Sequence, residues 1–495
     1  MKHFSTFCLA AALAVGCLTS CGKTLSEKRA EANTRSYLNQ FSYSLLSGEY
    51  LWTADIYDAL SKWDLKADPY EQVLAARFKD DSGKDIDRWT QLFDNFGAVM
   101  NSLDGTPAAT LGMEYGLRLM EEGSNRVVVE VVYTYAGSPA REAGIKRGDV
   151  IVKVNDMEID TDNYSFIVGF FLNGDIPVRL TLADGRQLTV GPESMYLDPV
   201  LLSKVFPAGG KKVGYLCYTG FTLDSYEALI KACKEFRQEG VKDLILDLRY
   251  NSGGYELAEL ALASMLAPEG MVRIGAVHSQ NLYNAAMVTY LQQNGEDTYT
   301  RFRQEFEFEN RGKTYRFSTA DANVGCERII ALVGPDTASA SELLLCALKP
   351  YMPVYLIGFR TYGKFCAGIM VPAEDFYEEA AKQGAVSAKD AEDARKYTAD
   401  KGMYLMISRF ADETGKTLCM PDGMAPDEQV ADNPGDGFEL GDPGETLLAR
   451  ALAYCGYRAA PAQAQRAGAV RPPLAPLPGA PARNAFLVRT DLPRP

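Results

Sequence analysis

Arg328-Ile329-Ile330-Ala331-Leu332-Val333-Gly334 runs into Thr337-Ala338-Ser339-Ala340-Ser341-Glu342, and Val354-Tyr355-Leu356-Ile357-Gly358 runs into Thr361-Tyr362-Gly363-Lys364. Each apolar run has the length and β-branched content of a buried strand. Between them residues 341–349 supply one helix-length stretch. A strand–helix–strand unit crosses over right-handed, so the two strands are parallel and both following loops meet at one sheet edge. A hydroxyl nucleophile and a lysine are thereby expected in one crevice, the pair a Ser/Lys hydrolase needs.

The chain has only two histidines, His3 and His278. His3 lies in a targeting-like segment, and His278, in Ala276-Val277-His278-Ser279-Gln280, has no evident acidic partner in the sequence. A histidine-based triad is therefore disfavoured, and the base expected beside a serine is lysine.

With 495 residues the chain is long enough for two to four domains, and a hydrophobic content of 47% is ample for packed cores. The 65 acidic against 51 basic residues argue against nucleic acid as a partner. No apolar run reaches the roughly 20 residues of a membrane-spanning helix. Lys2 and His3 precede an apolar stretch, residues 7–18, which ends in Leu18-Thr19-Ser20-Cys21-Gly22. This resembles a signal peptide (1–20) with the lipobox of bacterial lipoproteins. The resemblance implies lipidation of Cys21, export, and tethering to a bacterial membrane, on its periplasmic face or the cell surface. Without Cys8, Cys17 and Cys21, seven cysteines remain, with neither CxxC pairing nor metal spacing. No metal site and no cofactor are expected.

Residues 21–105 read as a helical N-terminal region carrying no catalytic constellation. From 106 to 198 the texture turns to β. Arg126-Val127-Val128-Val129-Glu130-Val131-Val132 is a strand, and Gly137-Ser138-Pro139-Ala140 opens a short helix capped by Ser138. Ala143-Gly144-Ile145-Lys146-Arg147-Gly148-Asp149-Val150-Ile151-Val152-Lys153-Val154-Asn155 follows. The pattern resembles a PDZ domain of the protease-associated bacterial type. Such domains take a peptide as an added strand and hold its carboxylate on backbone N–H groups. The matching carboxylate loop is expected at residues 113–118, with Tyr115, Gly116 and Leu117 as peptide-binding residues.

A second α/β region spans 199–457. In it Leu244-Ile245-Leu246-Asp247-Leu248-Arg249 is a buried strand that leads into Asn251-Ser252-Gly253-Gly254. With the Ser-Ala-Ser-Glu run, Thr361-Tyr362-Gly363-Lys364 and Pro421-Asp422-Gly423-Met424-Ala425-Pro426-Asp427, these motifs resemble, over roughly 110–430, the carboxyl-terminal processing protease family of PDZ-containing Ser/Lys peptidases. The resemblance implies Ser339, rather than Ser341, as nucleophile and Lys364 as base, with Glu342 helping to orient the lysine. It also implies an oxyanion hole from the N–H of Ala340 with that of Gly253 or Gly254; Ser339 opens a helix, whose N-terminus favours an anion. To serve as base, Lys364 must drop from a pKa of about 10.4 to roughly 7–8, some 4 kcal/mol of desolvation. Family members commonly carry glutamine four residues after the lysine and glycine directly after it. This chain has Gly368 and Phe365 there.

Two rival motifs fall away. Gly358-Phe359-Arg360-Thr361-Tyr362-Gly363-Lys364 lacks the Ser or Thr and the following helix of a phosphate-binding loop. Cys366 with His278 has no spacing that supports a cysteine peptidase. Residues 458–495, rich in Pro and Ala, read as a disordered tail.

The expected architecture is multidomain α/β: a helical N-terminal region, a PDZ-like β domain, and an α/β serine-peptidase domain with parallel strands. The expected function is an exported serine endopeptidase acting on proteins recognised through C-terminal or unfolded segments. Because of Gly368, the alternative is a non-catalytic peptide-binding lipoprotein that keeps the fold.

Overall fold

The computed structural model describes residues 24–310, 313–457, 471–478 and 486–490. The signal-peptide expectation and Cys21 lie outside these residues. At the N-terminus, α1 (Leu25–Gly48) starts at Thr24, whose side chain forms a capping box with Glu27. Its buried stripe of Leu38, Phe41, Ser42 and Leu45 meets the helices Ala373–Lys382 and Ala388–Thr398, with Phe41 edge-on to Phe376 at 5.3 Å. This helical region shares one hydrophobic core with the α/β region instead of building its own.

The PDZ-like sheet contains β1 (Met113–Leu119), β2 (Val127–Thr134), β3 (Val150–Val154), β4 (Val178–Leu182) and β5 (Gln187–Val190), each antiparallel to the next. It has a separate core built on Val127, Val129, Val131, Ile151 and Leu180. The short helix Pro139–Glu142 is capped by Ser138, as its sequence predicts. Residues 113–118 correct the expectation of a loop: they are strand. Met113, Tyr115, Leu117 and Leu119 alternate with Glu114, Gly116 and Arg118, and that period of two turns Leu117 and Leu119 into the core.

In the α/β region β6 (Val200–Ala208) pairs antiparallel with β7 (Lys211–Tyr218), the helix α2 (Tyr226–Glu239) follows, and β8 (Asp243–Asp247) lies parallel to β7. After it come the short strand β9 (Gly253–Tyr255) and the buried helix α3 (Glu256–Leu266). Then β10 (Arg328–Val333), α4 (Ala340–Leu348) and β11 (Val354–Gly358) form the expected parallel crossover, with β10 between β8 and β11. The chain then changes sheet. β12 (Cys366–Pro372) pairs antiparallel with β13 (Gly402–Ala411) in a second layer, so Lys364 sits on the connection between layers.

The tail departs from the expectation of uniform disorder. Within its described residues, β14 (Ala475–Pro476) adds antiparallel to β1, and β15 (Phe486–Val488) adds parallel to β9 and touches β12 at Gly368. Scattered arginines and a few apolar residues find partners on surfaces contributed by distant parts of the chain, which composition alone does not reveal.

Candidate active site

Ser339 occupies the tight turn between β10 and α4 with φ 63° and ψ −112°, a region non-glycine residues seldom enter. Strain of this kind persists only where surrounding structure holds it, and it concentrates at functional positions. The clamps are visible. Thr337 Oγ1 donates to Leu248 O at 2.8 Å, Ala338 N–H to Asn251 O at 3.1 Å, and Ser341 Oγ to Asn251 O at 3.0 Å. The serine turn is thus stitched to the loop that leads into Gly253. The Ser339 hydroxyl is buried and makes no hydrogen bond among the described residues.

Glu342 joins the serine turn to the lysine loop. Its Oε1 accepts from Thr361 Oγ1 at 2.5 Å and Gly363 N–H at 2.7 Å, and its Oε2 from Lys364 N–H at 2.8 Å and Ser339 N–H at 3.0 Å. Burial pushes this carboxyl up to about 7, while the four donors pull the other way. The expected link between Glu342 and the lysine is therefore made at the Lys364 backbone.

The Lys364 ammonium is held elsewhere. Nζ donates to Tyr404 Oη at 2.6 Å and lies 4.5 Å from the centre of the Tyr404 ring and 5.5 Å from that of Trp89. The side chain is completely buried, and burial pushes its pKa down from 10.5 to about 7, although Cys366, Asp87 and Glu342 pull upward. Trp89 and Asp87 belong to the N-terminal region read as catalytically silent. Asp87 is fixed by Tyr50 Oη at 2.7 Å and by the N–H groups of Trp89 and Thr90.

Gly368 has a steric explanation. A Cβ there would lie 2.6 Å from Leu405 O and 2.7 Å from Tyr404 Cε2, and would also strike the Met406 methyl. Tyr404 and Met406, from the paired strand β13, fill the space a side chain at 368 would need. Tyr404 was not found from the sequence, because nothing local marks a strand tyrosine 40 residues beyond the lysine as its partner.

Of the oxyanion candidates, Ala340 opens α4, where first-turn N–H groups have no acceptor within the helix. Gly253 N–H donates to Asn251 Oδ1 at 2.9 Å, and Gly254 lies in the ladder between Phe221 and β15. Both glycines have positive φ, 107° and 142°, and a Cβ at 254 would collide with the Phe221 backbone, so the tight approach requires glycine. A cavity of about 430 Å³ opens beside them, lined by Ser252, Phe221, Tyr133 and Tyr250 among others. Tyr115, Gly116 and Leu117 lie on β1 in the PDZ-like sheet, outside the Ser339–Lys364 cluster; Tyr115 Oη donates to Asn173 Oδ1 at 3.0 Å. His278 is a satisfied core residue, 3.0 Å from Glu259 Oε1 and from Ser279 Oγ.

A PDZ-like sheet beside a two-layer α/β unit, with a strained serine and a buried lysine tied through one carboxylate, defines the class as a PDZ-bearing peptidase fold. Residues 212–430 match the model of peptidase family S41 and residues 130–169 that of a PDZ domain. The resemblance to the carboxyl-terminal processing protease family is borne out by its relatives as well. The chain is 26% identical over 243 residues to the carboxyl-terminal-processing protease of Synechocystis, covering 48% of this chain and 49% of that one. It is 25% identical over 317 residues to the carboxy-terminal processing protease CtpA of Bacillus subtilis, covering 61% and 60%. The chain thus spans about half to three fifths of the length of these relatives. The crystal structure named "Putative S41 protease from Bacteroides fragilis NCTC 9343" superposes with a TM-score of 0.61 at 21% identity, over 83% of this chain and 96% of that one, which shows a shared fold.

Proposed function

We propose that this chain is a serine endopeptidase that uses Ser339 as nucleophile and Lys364 as general base. The observation that carries the reading is the fully buried Lys364, lowered to about 7 and anchored to the Ser339 turn through Glu342. A lysine in that range is neutral in a useful fraction near neutral pH. Its Nζ takes the proton from Ser339 Oγ as Oγ bonds to the scissile carbonyl carbon. The oxyanion that forms is met by the N–H of Ala340 with that of Gly253 or Gly254. As the intermediate collapses, the C–N bond breaks and the Lys364 ammonium returns its proton to the departing amine. Water then attacks the ester carbonyl carbon, losing a proton to Nζ; as the C–Oγ bond breaks and the carboxylic acid leaves, Nζ returns that proton to Ser339 Oγ. In this reading Tyr404 Oη positions Nζ, the part expected of a glutamine at 368.

The PDZ-like domain is proposed to take substrate segments as an added strand, with Tyr115, Gly116 and Leu117 on the strand concerned. Export and lipid anchoring at Cys21 rest on the sequence Leu18-Thr19-Ser20-Cys21-Gly22. The test is degradation of an unfolded protein by the chain, beside Ser339→Ala and Lys364→Ala, with covalent labelling by a serine-directed phosphonate. Cleavage by wild type and loss in both variants is expected. A wild type that neither cleaves nor labels, yet binds peptides, overturns the reading in favour of a binding lipoprotein.

A further inference from the structure

The described parts of the tail follow a path that a peptide ligand would take. Arg471 N–H donates to Gly435 O at 2.9 Å, and its guanidinium pairs with the buried Glu130 of β2. Leu474 and Leu477 then pack on the PDZ-like sheet while β14 extends β1. Farther on, Phe486, Leu487 and Val488 pair in parallel with Gly253, Gly254 and Tyr255. The point where a Cβ on Gly253 would sit is in contact with Phe486 O and lies 2.8 Å from Ser339 Cβ and 3.1 Å from Ala340 N. The Phe486 carbonyl, the Ser339 side chain and the Ala340 N–H therefore all crowd Gly253. The Phe486 ring packs on Tyr404 at 5.2 Å, so the tail also covers the residue that holds Lys364.

Three residues past Phe486, Arg489 enters a built pocket. Its N–H donates to Gly368 O at 3.0 Å. Nε and Nη2 meet Glu256 Oε2 and Oε1 at 2.8 and 2.7 Å, Nη2 also donates to Asn281 Oδ1 at 2.6 Å, and Nη1 reaches Tyr283 Oη. Arg489 and Glu256 are each only 6% exposed. A bidentate guanidinium–carboxylate pair out of water is specific, because a buried carboxylate left without its cation is strongly disfavoured. On its other edge, β9 is bonded to a segment outside the tail. β9 is independently held by Phe221, whose N–H donates to Gly253 O at 2.9 Å and whose O accepts from Tyr255 N–H at 2.8 Å.

We propose that the C-terminal segment is a resident ligand of the peptide path, and that this path carries an arginine subsite formed by Glu256, Asn281 and Tyr283. Substrates compete with the tail. Those favoured present an extended apolar segment with arginine three positions C-terminal to the residue that pairs with Gly253. The catalytic part of this inference rests on the function proposed above; the occupancy of the path does not.

The test uses the full chain and Arg489→Ala, a change confined to the tail. Hydrogen exchange at residues 486–489 is followed by mass spectrometry, phosphonate labelling of Ser339 is timed, and a fluorescent peptide of residues 484–490 is titrated into the variant. Protection of these amides in wild type is expected, with exchange about 100-fold faster in Arg489→Ala. Labelling should speed up about tenfold, and the peptide should bind about tenfold or more tighter than its Arg→Ala analogue. Unprotected tail amides in wild type, or equal binding of the two peptides, overturns the inference. If Ser339 labels in no variant while release of the tail and peptide discrimination both occur, the peptidase reading fails and the resident ligand stands.

Discussion

Ser339 and Lys364 donate their backbone N–H groups to one and the same carboxylate oxygen, Oε2 of Glu342, at 3.0 and 2.8 Å. Two loops that leave neighbouring parallel strands are thus locked in register by a single buried side chain. The lock is made at the backbone of both loops, while the Lys364 amine meets Tyr404 Oη at 2.6 Å.

Replacing that carboxylate by its amide breaks the lock. Glu342→Gln keeps the shape, but its NH2 faces N–H donors where Oε1 or Oε2 had accepted two hydrogen bonds. Loss of roughly 3 kcal/mol or more of unfolding free energy is expected in denaturant titration, together with near-complete loss of peptidase activity. A variant with wild-type stability would refute the locking role.

Ser339 carries backbone strain that glycine does not feel. Ser339→Gly should unfold about 1 kcal/mol later than Ser339→Ala, since only glycine adopts φ 63° with ψ −112° freely. Both variants should be inactive. Equal stability of the two would show that the turn is not strained.

Lys364 costs stability at neutral pH. Its folded pKa is lowered to about 7, so between there and about 10.5 the unfolded chain binds more protons than the folded one, and stability rises with pH across that window. Lys364→Met should remove this rise and stabilise the protein at pH 7 by a few kcal/mol while abolishing cleavage. Because the neutral amine is the base, wild-type kcat/KM should climb through about pH 7. A lysine variant less stable than wild type at pH 7 contradicts the desolvated state.

Tyr404 is expected to act through Lys364. Tyr404→Phe should lower kcat about tenfold or more with little change in KM, and should move the pH midpoint of activity, a signature that mere packing would not give. Placing a glutamine at 368 should fail: Gly368→Gln meets Leu405 O, Tyr404 and Met406, at a cost of about 1–3 kcal/mol. Thermal unfolding and steady-state kinetics check both variants.

Much of this was legible in the chain. The crossover from Arg328 to Gly358 declares itself through two short β-branched runs around one helical stretch, and Ser339 and Lys364 each sit just past a strand. Ser138 before Pro139 marks its helix start. Residues 113–118, expected as a loop, are strand, and the alternation of Met113, Tyr115, Leu117 and Leu119 encodes it. Tyr404 and Trp89 left no local signal, nor did the pairing of Glu256 with Arg489 across 233 residues.

What the sequence determined by itself is whatever depends on near neighbours: strand and helix periods, caps, and the residue types at the ends of β8, β10 and β11. Backbone hydrogen bonding and side-chain alternation are short-range, so they can be read along the chain. The tertiary structure alone decided that Lys364 is dry, that Tyr404 and not residue 368 holds it, and that the tail lies against Gly253. Desolvation is a property of everything packed around a group, and those neighbours come from the N-terminal region, β13 and the tail, brought together only by folding.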